Sequence, residues 1–107
     1  MIGIFKFMKS ADINQGIEEW KNMKGSILID VRTSEEYREG HIPGSINIPL
    51  NEIDTVTEKG FGKELPIFVH CRSGSRSSQA ETRLLQLGYT KVKNIGGFMG
   101  YKGKVEV

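Results

Sequence analysis

A single cysteine, Cys71, stands at the head of the segment Cys71-Arg72-Ser73-Gly74-Ser75-Arg76-Ser77, and it is the residue best suited to covalent chemistry. Cysteine attacks as its thiolate, so its reactivity depends on the groups around the sulfur. Gly74 permits a backbone turn that other residues rarely adopt, and such a turn can point several N–H groups inward. Arg72 and Arg76 add positive charge. The segment therefore favours an anion at its centre, and it predicts that Cys71 is a nucleophile with a lowered pKa.

A buried structural cysteine is the alternative, because free cysteine is among the most buried residue types. An ordinary strand-to-helix turn does not need two arginines around a glycine directly after the cysteine, so the pattern favours a reactive thiol. With one cysteine the chain can form no intramolecular disulfide, and a lone thiol is typical of a reducing compartment. We therefore expect a cytoplasmic protein.

A strand and a helix must position Cys71. The apolar run at 66–70 predicts a buried strand that leads directly to the cysteine. A helix is predicted to begin at Ser75 or Arg76 and to end at Gly88. Its inward stripe consists of Ala80, Leu84 and Leu87. A helix in this place directs its free N–H groups and its positive dipole end toward the carboxyl end of the strand, where open α/β sheets form their sites.

The other segments alternate between strand and helix patterns. Strands are predicted at 4–8, 27–31, 45–48 and 92–95, and helices at 13–23, 34–39 and 50–58. Ser10 or Asp12 is expected to cap the first helix, and Trp20 to anchor it against the sheet. Gly96 and Gly97 are expected to turn the chain after the last strand. This order predicts an α/β fold with a central, mainly parallel sheet and, from the length, a single domain over residues 1–107.

Composition excludes several classes of protein. Fifteen basic and thirteen acidic residues leave a formal charge of +2, and no basic block accompanies it, so no nucleic-acid partner is expected. No apolar run approaches the roughly 20 residues of a membrane span, and the apolar N-terminus, interrupted by Lys6, lacks the order of a secretory signal. No membrane partner, metal site or cofactor is expected.

At the level of motifs, the chain resembles the rhodanese family. The segment at 71–77 is similar to the family's active loop, and two stretches upstream, 30–37 and 40–49, are similar to its first signature. Gly96-Gly97 followed by Tyr101 resembles its closing motif, although a tryptophan is more usual there. These segments are in the expected order from about residue 10 to Tyr101.

The resemblance implies a rhodanese-like α/β fold with helices on both faces of the sheet, and a sulfurtransferase reaction. Cys71 would take sulfur from a small anionic donor such as thiosulfate, become a persulfide, and pass the sulfur to a thiol, cyanide or thioredoxin-like acceptor. The backbone from Arg72 through Ser73, Gly74 and Ser75 to Arg76 would bind the persulfide. Arg72 and Arg76 would orient the donor, unless Arg76 instead pairs with a carboxylate.

Several other titratable residues accompany these motifs. The resemblance implies an architectural, ion-paired network for Asp30, Arg32, Glu36 and His41. His70 precedes the nucleophile, but neighbouring strand residues point to opposite faces, so we expect it to be packed and not to act as a general base. Asp54, Glu58 and Glu64 are interpreted as solvated surface charges.

Two other functions compete with a sulfurtransferase. Cysteine-based phosphatases and arsenate reductases have a similar Cys-to-Arg loop, but with five intervening residues, whereas this chain has four, 72–75. The shorter loop favours a single sulfur over a tetrahedral phosphate, and it excludes arsenate less firmly. The second alternative is a persulfide relay that delivers sulfur to a biosynthetic partner. The sequence leaves the acceptor and the oligomeric state open.

Overall fold

The computed structural model describes residues 11–107. The strand predicted at 4–8, and Ser10 as a possible cap, lie outside the described residues. In chain order, the elements are α1 (Ile13–Asn22), β1 (Ile27–Asp30), α2 (Ser34–Glu39), β2 (Ile46–Asn47), a first 3-10 helix (Leu50–Lys59), β3 (Ile67–Cys71), α3 (Ser75–Gln86), β4 (Val92–Gly97) and a second 3-10 helix (Phe98–Gly100).

The four strands form one parallel sheet in the order β2-β1-β3-β4. Two apolar clusters cover it, one on each face. The first lies under α3 and the first 3-10 helix and includes Val69, Cys71 and Leu84, and the second lies under α1 and includes Ile17 and Phe68. Alternate residues of β3 thus face opposite layers, which explains the continuous apolar run of this strand. The predicted α/β fold with helices on both faces is confirmed.

Local capping fixes the starts of two helices. The Asp12 side chain accepts a hydrogen bond from the Asn14 backbone N–H at 3.0 Å and begins α1. Thr33 and Glu36 form a reciprocal capping box at the start of α2. Trp20 packs against the second cluster, as predicted. The capping box begins the helix that carries Glu36.

Two predicted elements differ in detail. The segment at 50–59 is a 3-10 helix, and its buried residues Ile53 and Val56 are three positions apart, the spacing that aligns side chains in this conformation. The expectation that Gly96 and Gly97 turn the chain is wrong, because β4 continues through Gly97. Gly96 adopts a φ of +107°, and the register between β3 and β4 skips Ile95. This bulge keeps both glycines in the strand.

Within the described part of the chain, no helix is long and apolar enough to cross a membrane.

Candidate active site

Cys71 is the last residue of β3, one position further into the strand than predicted, and its side chain is fully buried on the face covered by α3. The chain then turns through Arg72, Ser73 and Gly74 and enters α3 at Ser75. Gly74 has a φ of +99°, in the left-handed region that favours glycine, so the predicted turn is confirmed. The sulfur therefore lies beneath the first turn of a twelve-residue helix.

Hydrogen-bond donors converge on the sulfur atom. The backbone N–H of Gly74 donates to Cys71 Sγ at 3.0 Å, and the Ser77 hydroxyl oxygen lies 3.4 Å from Sγ. Burial alone would raise the pKa of the thiol. The Ser77 hydroxyl and the backbone N–H groups of Ser77, Gly74 and Ser73 outweigh burial, so the pKa of Cys71 lies below its ordinary value. The direction of this shift agrees with the lowered pKa that the sequence predicts for Cys71.

A polar side chain from β4 completes the sulfur's surroundings. Asn94 Oδ1 accepts hydrogen bonds from the Ser77 hydroxyl at 2.7 Å and from the Gly96 backbone N–H at 3.0 Å. Asn94 Nδ2 donates to the carbonyl oxygen of Gly74 at 3.2 Å. Asn94 thus ties the strand to both the turn and the helix that hold the sulfur of Cys71.

Gly97 forms the wall behind the turn, because it pairs with Cys71 in the sheet. A methyl group at Gly97 would collide with the carbonyl oxygen of Arg72 and lie 2.7 Å from the Cα of Ser73. The same carbonyl accepts a hydrogen bond from the Met99 backbone N–H at 3.1 Å. The absence of a side chain at Gly97 lets the turn lie directly against the end of β4.

The two arginines of the turn have different surroundings. Arg72 is exposed and lines a cleft of about 390 Å³ together with Phe98 and Met99. Arg76 instead forms a two-point ion pair with Glu36 of α2, with N–O distances of 2.7 and 3.0 Å. Of the two roles left open for Arg76, the structure shows the contact with a carboxylate, and a contact with the donor stays a prediction. The Arg76 guanidinium holds the pKa of Glu36 at about 2.

The two predicted serines of the turn, Ser73 and Ser75, do not direct their side chains to the same surroundings as the sulfur of Cys71. Ser73 and Ser75 are exposed, and Ser73 contributes its backbone N–H to the sulfur. Ser75 is the first residue of α3. The turn therefore acts mainly through its backbone.

The upstream charged residues form a structural network, as expected. Arg32 donates to both oxygens of the buried Asp30, with a shortest distance of 2.7 Å, and to the carbonyl of Gly40 at 2.8 Å. Its guanidinium carbon lies 4.3 Å from the centre of the Phe98 ring. These contacts join the end of β1 to the segment after α2 and to the second 3-10 helix. A buried charge pair with this many partners holds the loops around the site in place.

The two histidines belong to this framework. His70 is fully buried on the face opposite Cys71, and its Nδ1 lies 3.1 Å from the carbonyl oxygen of Cys71. His70 Nε2 has no hydrogen-bond partner among the described residues and lies 3.6 Å from Asp30 Oδ2. His41 stacks on Tyr37 with ring centres 3.7 Å apart. His70 is packed away from the sulfur, in agreement with the predicted orientation.

The predicted surface carboxylates lie outside the site. Asp54 is exposed and pairs with Arg83 of α3 at 2.7 Å, and Glu64 approaches Lys91 at 3.9 Å. Glu58 is exposed. Within residues 11–107, no group of three or more histidine, cysteine, aspartate or glutamate side chains is placed to hold a metal ion.

The sequence analysis did not identify Ser77 and Asn94, which lie around the sulfur. Asn94 lies opposite Val69 in the sheet, on the face that carries Cys71. A polar residue at an inward position of a predicted core strand was the signal for it. The site therefore consists of the turn after β3, the first turn of α3, and the end of β4.

The description "Rhodanese-like domain" belongs to the family model that matches residues 11–104. The chain belongs to the rhodanese family. Among solved structures, a rhodanese from E. coli with bound anions is 35% identical and superposes with a TM-score of 0.69 over 76% of this chain and 96% of its own. A protein from Staphylococcus saprophyticus is 28% identical, with a TM-score of 0.77 over 92% of this chain and 99% of its own.

Curated relatives of this chain carry names from sulfur chemistry. Thiosulfate sulfurtransferase PspE of Escherichia coli is 41% identical over 70 residues, which cover 64% of this chain and 67% of PspE. The putative sulfur carrier protein YrkF of Bacillus subtilis is 36% identical over 80 residues, which cover 74% of this chain and 43% of YrkF. The chain spans less than two thirds of several such relatives, including a putative mitochondrial thiosulfate sulfurtransferase of Schizosaccharomyces pombe, of which it covers 61%.

Proposed function

We propose that this rhodanese is a sulfurtransferase that carries the transferred sulfur as a persulfide on Cys71. The observation that carries the proposal is the position of Sγ, beneath the first turn of α3, where the Gly74 N–H lies 3.0 Å away. Donors fixed in this way stabilise negative charge on sulfur without reorganising during the reaction. The family membership and the names of the relatives support the same chemistry.

In the first half-reaction, the Cys71 thiolate attacks the outer, sulfane sulfur of a donor such as thiosulfate. A bond forms between Sγ and that sulfur, the sulfur–sulfur bond of the donor breaks, and sulfite leaves with the electron pair. The transferred sulfur retains the negative charge of a persulfide. The backbone N–H groups of the turn and the dipole of α3 stabilise this charge, because they point toward the centre of the turn.

In the second half-reaction, a nucleophilic acceptor attacks the outer sulfur of the persulfide. The bond between the two sulfur atoms breaks, and Cys71 departs as a thiolate. A cysteine with a lowered pKa is a better leaving group, so the donors that favour attack also favour discharge. Cyanide, a small thiol and a thioredoxin-like thiol are the acceptors that this chemistry allows.

Arg72 is assigned the orientation of the anionic donor. Its side chain is exposed and lines the cleft with Phe98 and Met99, whereas the charge of Arg76 is compensated by Glu36. Cys71 is fully buried, and Arg72 follows it directly in the chain with an exposed side chain. The positive charge of Arg72 would attract the anionic donor to this turn.

The phosphatase and arsenate reductase alternative has less support. An arginine that stabilises a tetrahedral oxyanion must direct its guanidinium into the loop, and Arg76 donates instead to Glu36. The loop also has four residues between Cys71 and Arg76, a short span for a bound phosphate.

A relay function uses the same persulfide with a protein as the acceptor. The relative YrkF is named a putative sulfur carrier protein, and this name favours a relay as a second candidate. The two functions differ only in the acceptor, so the discharge step separates them.

The experiment that tests the proposal is a measurement of sulfite after mixing the protein with thiosulfate in the absence of an acceptor. We expect one equivalent of sulfite per chain from the wild type and none from Cys71→Ser. Thiocyanate should then form when cyanide is added, and sulfur transfer to a thioredoxin cysteine in preference to cyanide would favour the relay. A wild type that releases no sulfite, with thiosulfate bound, would overturn the proposal.

A further inference from the structure

The Ser77 hydroxyl has one hydrogen and three acceptors within reach. Its oxygen lies 2.7 Å from Asn94 Oδ1, 3.2 Å from the carbonyl oxygen of Gly74 and 3.4 Å from Cys71 Sγ. A serine hydroxyl donates only once at a time. Only one of these three acceptors therefore receives the hydrogen bond of the hydroxyl in any one state of the site.

The position of Asn94 is fixed by its other hydrogen bonds. Its oxygen must face the Gly96 N–H and its nitrogen must face the Gly74 carbonyl, so the amide cannot turn over without losing both. The Asn94 backbone N–H donates to Glu81 Oε2 at 3.1 Å. Asn94 Oδ1 is thus a rigid acceptor that stands permanently beside the Ser77 hydroxyl.

We propose that Asn94 is a positioning residue that competes with Cys71 for the hydroxyl hydrogen of Ser77. When Sγ is protonated, or is bonded to the transferred sulfur, the hydroxyl donates to Asn94. When Sγ is a thiolate, the hydroxyl turns and donates to the sulfur. The role of this competition in sulfur transfer rests on the proposed function, because in that reaction Sγ is a thiolate before it accepts sulfur and again as it releases it.

The competition has a definite sign. The short contact with Asn94 stabilises the hydroxyl in the states where Sγ is uncharged, and it must be given up when Sγ ionises. A hydrogen bond to a charged acceptor is stronger than one to a neutral acceptor, so the hydroxyl donates to the thiolate and not to Asn94 once Sγ has ionised. Removing the acceptor at position 94 should therefore favour the thiolate, and removing the hydroxyl should disfavour it.

Other charged and titratable groups near Cys71 come from several elements and are unchanged by these substitutions. Arg76 of α3, with its partner Glu36 of α2, and Glu81 of α3 lie on the same side of the sheet as the sulfur. On the other face, His70 packs beside Asp30.

The test is a double-mutant cycle read by the pH dependence of Cys71 alkylation with iodoacetamide. Asn94→Ala should move the midpoint of the profile down by about half a pH unit in the wild-type background. It should leave the midpoint unchanged in a Ser77→Ala background, because that protein has no hydroxyl at position 77 that could donate to Sγ once Asn94 is lost. Ser78→Ala, an exposed neighbour on α3, is the matched control for Ser77→Ala.

Asn94→Asp provides a second variant that keeps an acceptor beside Ser77. It should raise the midpoint, and by more in the wild-type background than in the Ser77→Ala background. Equal shifts in the two backgrounds, an upward shift in Asn94→Ala, or no shift in either variant would overturn the proposal. Alkylation requires no sulfur donor, so this result is independent of sulfite release, which tests the proposed function.

Discussion

Glu36 and Arg76 stand forty positions apart in the chain, and they join α2 to the first turn of α3 by a two-point ion pair. Glu36 also accepts from the backbone N–H of Thr33 at 2.9 Å, so one carboxylate caps α2 and holds the first turn of α3. The pair fixes the helix end from which N–H groups point at Cys71. Its strength therefore matters for both stability and reactivity.

The Glu36–Arg76 pair predicts a loss of stability in acid. The pKa of Glu36 is lowered from 4.5 to about 2 in the folded protein. Its stabilisation is therefore fully present above about pH 4.5 and is lost as the pH falls toward 2. Glu36→Gln should lower the free energy of unfolding by about 1 to 2 kcal/mol at pH 7. Urea unfolding at pH 7 and pH 3 measures this.

The control for that substitution is Glu39→Gln, an exposed carboxylate at the end of the same helix. It should change the free energy of unfolding by no more than a few tenths of a kcal/mol. If Glu36→Gln and Glu39→Gln have the same effect at pH 7, the ion pair contributes nothing specific.

Arg72→Ala should slow the reaction with the anionic donor while leaving the reactivity of the Cys71 thiol nearly unchanged. The Arg72 side chain is exposed, and its loss should reduce the rate of sulfite release from thiosulfate several-fold through lost attraction of the anion. Alkylation of Cys71 by neutral iodoacetamide should stay within about two-fold, because the backbone donors remain. Arg38→Ala, an exposed arginine on α2, is the matched control. Equal losses in both reactions would mean that Arg72 mainly holds the turn together.

Gly97→Ala should displace the turn at 72–74. The added methyl group meets the backbone of Arg72 and Ser73, which is attached to the strand on one side and to α3 on the other. We expect a loss of about 1 to 3 kcal/mol in the free energy of unfolding and a higher midpoint in the alkylation profile of Cys71.

Gly62→Ala is the control for Gly97→Ala, because a Cβ at Gly62 has no heavy atom within 4 Å. Its stability and alkylation profile should match those of the wild type. A Gly97→Ala protein that unfolds and reacts like the wild type would contradict the close contact between β4 and the turn.

His70 predicts a second pH effect, in a different range. Burial lowers the pKa of His70 below 6.5, and the nearby Asp30 only partly opposes this. Below about pH 6.5, His70 binds a proton in the unfolded chain but stays neutral in the folded protein. The free energy of unfolding therefore falls as the pH drops below about 6.5. His70→Asn should flatten the slope of unfolding free energy between pH 6.5 and 5, whatever its effect at pH 8. An unchanged slope would contradict a buried, neutral His70.

The fold and the turn that follows Cys71 could be predicted from the sequence because their signals are local. The apolar run before Cys71 and the glycine at position 74 fix the strand end and the turn. The helical stripe of α3 follows directly. These features depend on neighbours within a few residues, which periodicity and turn chemistry describe well.

The missing parts of the site depend on contacts between distant segments. Arg76 could serve either a donor or a carboxylate, and only the packing of α2 against α3 places Glu36 beside it. Asn94 meets Ser77 because it lies opposite Val69 in the register of β4 against β3. The bulge at Ile95 then carries the strand through Gly97, which the sequence predicted to be a turn. The register of two parallel strands depends on how they pair, so it cannot be predicted from the sequence of either strand alone.

The most direct test of the account is the intact mass of the protein after incubation with thiosulfate and removal of the small molecules. We expect one added sulfur atom on the wild type, none on Cys71→Ser, and return to the original mass after cyanide is added. A wild type that gains no sulfur from thiosulfate or mercaptopyruvate, yet hydrolyses phosphate esters through Cys71, would contradict it.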